Sequence, residues 1–109
     1  VVTTNLEFLS VDYAWRNLRQ AGVETRLVEH RDWEVREEDL LTAVDENTRV
    51  LAVSQVSFYT GQCLDIAQLA AGLSAKPKPV LLTVDATHAS GVVTVPAALM
   101  DLCVSSSYK

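Results

Sequence analysis

Apolar and polar positions follow two different periods along this chain. Short runs rich in Val, Leu and Thr occupy 1–4, 23–29, 49–56, 80–84 and 102–106, and runs of that length and composition read as β-strands. Between them the apolar residues return every three or four positions, which is the spacing of one helix face. Val11, Trp15 and Leu18 repeat at i, i+4 and i+7, with Ser10 placed as an N-cap and Gly22 where a helix C-cap falls. Over 37–44, Leu40, Leu41 and Val44 share a face, and Glu37, Glu38 and Asp39 fill the first turn, where the helix dipole favours acids. Asp45-Glu46-Asn47-Thr48 then supplies turn chemistry before the third strand. A further helix starts at an Asp65 cap, turns Ile66, Leu69, Ala70 and Leu73 inward, and must end before Lys76-Pro77-Lys78-Pro79. The strand over 80–84 is apolar except at Thr83, so it is expected to be central and covered on both faces. Strands alternating with helices predict right-handed βαβ crossovers, and hence a doubly wound α/β fold with a mostly parallel sheet.

Composition narrows what such a layer can do. With 109 residues, 49% hydrophobic and 21% charged, the chain amounts to one globular unit without repeats or linkers. Nine Lys and Arg against 14 Asp and Glu leave a formal net charge of -5, which argues against a basic footprint on nucleic acid or on an anionic membrane. The apolar runs are too short to span a bilayer, and the first residues lack the basic region of a signal peptide. Cys63 and Cys103 form no CxxC pair and can staple no disulfide framework, so a reducing, cytoplasmic setting is expected. The chain begins in a strand without Met and stops just after another, and is expected to be a piece of a longer polypeptide.

In an open parallel sheet, ligands bind beyond the carboxyl ends of the strands. Three polar clusters fall there: Ser57-Phe58-Tyr59-Thr60-Gly61-Gln62, Asp85-Ala86-Thr87-His88-Ala89-Ser90-Gly91 and Ser105-Ser106-Ser107-Tyr108-Lys109. An Asp closing one buried strand and a Lys following the next are costly to desolvate unless each has a partner. A partly desolvated lysine can form a Schiff base with an aldehyde, and an Asp opposite a pyridine nitrogen would keep that nitrogen protonated. Ser and Tyr hydroxyls before the lysine could donate to a phosphate. Aldehyde, pyridine and phosphate together describe pyridoxal phosphate. Each residue also has a plainer reading: Asp85 as a turn or cap carboxylate, Lys109 as a solvated lysine, His88 as a structural histidine, Ser106 and Tyr108 as polar strand ends. Glu37-Glu38-Asp39 reads as a solvated helical turn, so no metal site is expected, and Trp15 and Trp33 read as packing residues.

Asp85-x-x-His88-x-x-Gly91 followed by Ser106-Ser107-Tyr108-Lys109 resembles the cofactor-binding core of fold-type-I pyridoxal-phosphate enzymes. Within them the chain is similar to the class V aminotransferase family, which includes cysteine desulfurases, selenocysteine lyases, kynureninases and isopenicillin N epimerases. Asn5-Leu6-Glu7-Phe8-x-Ser10 and Val53-Ser54-Gln55-Val56-Ser57-x-x-x-Gly61 extend the resemblance over nearly the whole length. It implies that Lys109 is the Schiff-base lysine, that Asp85 partners the pyridinium nitrogen, that His88 lies near the phenolic oxygen, and that Ser106 and Tyr108 contact the phosphate. It also implies an amino-acid substrate, a homodimer with active sites at the subunit interface, and a fragment of the large domain lacking an N-terminal segment and a C-terminal small domain. The phosphate loop, the substrate-carboxylate Arg and a desulfurase's nucleophilic Cys would lie outside this stretch. Tyr108 and Tyr59-Thr60-Gly61-Gln62 match the kynureninase version, whereas Phe58 stands where desulfurases usually carry Asn.

A reading of another class remains open, a receiver-like signalling domain phosphorylated on Asp85. That fold wants an acidic pair after its first strand, where the chain has only Glu7, and a further strand between the acceptor Asp and the Lys, where the chain has only the 91–101 crossover. A dinucleotide-binding module is weaker still, because no G-x-G-x-x-G follows the first strand.

Overall fold

The computed structural model describes residues 1–107. Five strands form one sheet: β1 (Val2–Thr4), β2 (Arg26–Val28), β3 (Val50–Ser54), β4 (Leu81–Asp85) and β5 (Leu102–Val104). Their order is β2-β1-β3-β4-β5 and every pairing is parallel. Helix α1 (Leu9–Asn17) links β1 to β2, α2 (Glu37–Ala43) links β2 to β3, and α3 (Ile66–Ser74) links β3 to β4. The expected α/β doubly wound layer is therefore present, with four strands a little shorter than their apolar runs and β4 shifted by one residue to end at Asp85. The chain winds outward from β1 to β2, then crosses to β3 and continues the other way, so the switch point lies between β1 and β3.

The core lies between the sheet and the α2–α3 pair. Leu51, Val53, Leu82 and Val84 from the strands meet Leu40, Ile66, Leu69 and Leu73 from the helices, all buried. Gly72 lets the two helices approach: a Cβ there would lie 2.4 Å from Leu41 Cδ1. Asp65 caps α3 as its position in the sequence implies, accepting from Gln68 N at 3.0 Å. The Lys-Pro-Lys-Pro connection does more than stop α3. Lys76 Nζ donates to Leu41 O and Val44 O at 2.7 and 3.0 Å, supplying cation and donor to the carbonyl end of α2. Just past α2, Asp45 accepts from Thr48 and Asn47 and pairs with Arg26 at 3.0 Å. Those hydrogen bonds, Thr48's first, hold its carboxyl down to about 2, so the turn stays tied to β2 at neutral pH.

Two expectations need correction. Ser10 does not cap α1, because the helix starts one residue earlier and Phe8 occupies the cap position with no side-chain bond. The preceding turn decides this: Thr4 Oγ1 accepts from Leu6 N, and Phe8 O already accepts from Val11 N and Asp12 N. Nor is β4 covered on both faces. Leu82 and Val84 are buried, but Leu81 is 52% exposed on the side shared with Ala52, Leu102 and Val104. The helix on that side, α1, buries none of its residues and leaves the β4–β5 half of the face open. No helix among the described residues is long and apolar enough to cross a membrane.

Candidate active site

The open face becomes a cleft at the carboxyl ends of β4 and β5. It has a volume of about 540 Å³, within the range of small-ligand sites. Ala52, Thr83, Asp85, Leu102 and Val104 form its floor, Ser10, Val11, Ala14 and Trp15 of α1 form one wall, and Thr87, Ser105 and Ser106 close the end. Period-2 alternation explains the floor: Thr83 and Asp85 share a face of β4, while Leu82 and Val84 point into the core.

Asp85 ends β4 half-buried, where the apolar pattern stops. Its Oδ1 accepts from Thr87 N at 2.8 Å, which is the turn role of the plainer reading, yet the residue also lines the cleft. Its main chain is fixed on both sides, because Gln55 N donates to Asp85 O at 3.0 Å and Ala86 N donates to Val104 O at 2.7 Å. The β5 rim is tied to the same turn: Ser106 N donates to Thr87 Oγ1 at 3.0 Å, bringing Ser106 beside Asp85.

His88 stands apart from this cleft lining, against an aromatic cluster. Its ring centroid is 5.5 Å from that of Phe58, which meets Phe8 edge-on at 4.9 Å and Tyr59 at 5.2 Å. Gly61 takes φ +73° to close the Ser57–Gly61 turn that carries Phe58, a backbone geometry few other residues adopt readily. Asp85 and Ser106 are thus brought together, His88 is held on a neighbouring aromatic wall, and Tyr108 and Lys109 lie outside the described residues.

One residue of this rim escaped the reading of the sequence as a site group. Glu7, just past β1, is only 4% exposed, and its carboxylate accepts both Ser54 N at 2.8 Å and Ser54 Oγ at 2.5 Å. Burial pushes its carboxyl above the usual range against the pull of Ser54, and Asp85 and Asp12 add to the rise. The available signal was an acid set between two apolar residues, Leu6 and Phe8, directly after a strand.

The donor set fits pyridoxal phosphate on its chemistry. A carboxylate in an apolar-floored cleft suits a ring nitrogen, the hydroxyls of Thr87, Ser105 and Ser106 suit an anion, and the site sits where doubly wound sheets bind ligands. The strand order alone does not decide this, since other doubly wound folds share it.

The Aminotransferase class-V family model matches residues 1–109, the whole chain, and the chain belongs to that family. No curated protein matches it. Among solved structures it is similar to the O-acetylhomoserine sulfhydrylase of Wolinella succinogenes, at 29% identity and TM-score 0.64 over 79% of this chain and 23% of that one. It also resembles the Escherichia coli cysteine desulfurase CsdA, at 17% identity and TM-score 0.82 over 96% of this chain and 27% of that one. A Thermus thermophilus aspartate aminotransferase of subgroup IV aligns at 21% identity and TM-score 0.73, over 99% of this chain and 31% of that one. The chain thus spans 23 to 31% of the structures it matches.

Proposed function

We propose that this chain is the cofactor-holding part of a pyridoxal-phosphate enzyme acting on an amino acid. The observation that carries the reading is Asp85, placed in the cleft at the end of β4 in a chain matched end to end by the class V family. Bound pyridoxal phosphate supplies an electron sink for the charge left on the substrate's α-carbon. Asp85 would accept a hydrogen bond from the ring nitrogen and keep it protonated. Lys109 would anchor the cofactor covalently and, once displaced by the substrate amine, move the α-proton as general base and acid. Ser106 and Tyr108 would donate to the phosphate, and His88, held by Phe58, would face the phenolic oxygen. The reading includes a homodimer with active sites at the subunit interface and a cytoplasmic setting, both from the family resemblance.

The choice among desulfurase or lyase, kynureninase-like hydrolase and transaminase chemistry rests on residues beyond this stretch. The experiment is a panel on the full-length protein with added pyridoxal phosphate, measuring sulfide, alanine and anthranilate release from cysteine, selenocysteine and kynurenine, and keto-acid formation from a mixture of amino acids. The expected result is cofactor-dependent turnover of at least one amino acid. No cofactor uptake and no turnover, together with acetyl-phosphate labelling of Asp85, would favour the receiver reading instead.

A further inference from the structure

Glu7 is a buried carboxyl that the chemistry above does not use. It follows β1 at the switch point between β1 and β3, where a doubly wound sheet opens its ligand crevice. Both of its oxygens are taken by one residue, Ser54, through the main-chain N–H and the hydroxyl. Ser54 is the last residue of β3 and is paired in register with Asp85. The next residue, Gln55, donates its N–H to the Asp85 carbonyl at 3.0 Å. The buried Glu7 side chain therefore ties the end of β1 to the end of β3, which main-chain pairing in turn holds to the end of β4.

A tie of this kind does not require charge. Gln in place of Glu could accept the Ser54 N–H and donate to the Ser54 hydroxyl, without the penalty of desolvating an ionisable group. No ion pair among the described residues involves Glu7. The charged groups that act on it are Asp85 from β4 and Asp12 from α1, both acidic, and Asp12 is itself paired with Arg16 at 2.7 Å. From β3, its hydrogen-bond partner is the uncharged Ser54. What the carboxyl adds beyond the tie is a second negative charge next to Asp85.

We propose that Glu7 is a positioning residue for Asp85, fixing the β3–β4 rim through Ser54 and backing the Asp85 carboxylate with negative charge. The inference rests on the role proposed for Asp85. Negative charge on Glu7, behind Asp85, would strengthen the hold on the ring proton. Asp85 alone would then be a weaker partner than the pair.

The test uses the full-length holoenzyme and Glu7→Gln, which keeps the tie and removes the charge. The readout is the pH midpoint of the bound cofactor's absorption band. Loss of a nearby negative charge disfavours the cationic form, so the midpoint moves to lower pH by about half a unit or more. A wild-type midpoint in folded Glu7→Gln overturns the proposal, because a purely structural tie would leave it in place. A second arm needs no cofactor: ¹³C titration of the Glu7 carboxyl in full-length wild type and Asp85→Asn. Removing the like charge lowers the Glu7 midpoint, and an unchanged midpoint overturns the proposal even if Glu7→Gln fails to fold. If the wild type binds no pyridoxal phosphate, the function proposed above fails, and this second arm still decides whether Glu7 and Asp85 are coupled.

Discussion

Asp85→Asn in the full-length protein lowers kcat/KM by roughly 10²- to 10³-fold, the scale on which one preorganised electrostatic partner acts. The substitution is chosen because it separates the two roles of this residue. An Asn side-chain oxygen still accepts from Thr87 N, so the turn after β4 and the link from Thr87 to Ser106 survive. A neutral amide no longer favours a cation at the ring nitrogen, and the carbanion's charge loses its sink. Steady-state kinetics alongside a thermal melt check this: activity falls while the melting temperature stays close to wild type. Full activity would reduce Asp85 to a turn carboxylate.

Leu51→Ala carries the largest expected cost to stability, about 2–5 kcal/mol. Leu51 is fully buried in β3, between Val2 of β1 and Leu82 of β4, and belongs to the cluster that seats α2 and α3. Truncation removes contacts that neighbours held in a regular sheet cannot move to replace. A loss of this size is a large part of a typical domain's 5–15 kcal/mol. Leu102→Ala is the control, because Leu102 is 51% exposed on the open face and loses little buried area. Urea unfolding of the full-length protein should show a clear drop in midpoint for Leu51→Ala and a small one for Leu102→Ala. Equal effects would mean that the core lies on the wrong side of the sheet.

The architecture was legible because the apolar runs differ in period and each is bounded by strong punctuation. Asp65 and the Lys-Pro-Lys-Pro segment act where their chemistry says they should, and Gly22 closes not α1 itself but the 3-10 turn Leu18–Ala21 that follows it. Less legible were features fixed by the tertiary neighbourhood. Ser10 has good capping chemistry, yet the Thr4–Phe8 turn starts α1 before it. The apolar character of β4 suggested two covered faces, but α1, the helix on the Leu81 and Thr83 side, buries none of its residues and leaves that half of the face open. At the site, spacing located Asp85 and Ser106 on one rim, since the carboxyl ends of parallel strands lie along one edge of the sheet. Spacing could not show that Glu7 reaches Ser54, a contact 47 positions away that only the β1–β3 crossover creates. The place of His88 against Phe58 likewise depends on two loops meeting in space.

The central claim is that this chain holds pyridoxal phosphate through Lys109 opposite Asp85. Borohydride reduction of the full-length protein with bound pyridoxal phosphate, followed by peptide mapping of the labelled residue, tests it most directly. The account predicts loss of the cofactor's absorption band on reduction and a single pyridoxyl label on Lys109. The absence of a reducible band, or a label on any other lysine such as Lys76 or Lys78, would contradict it.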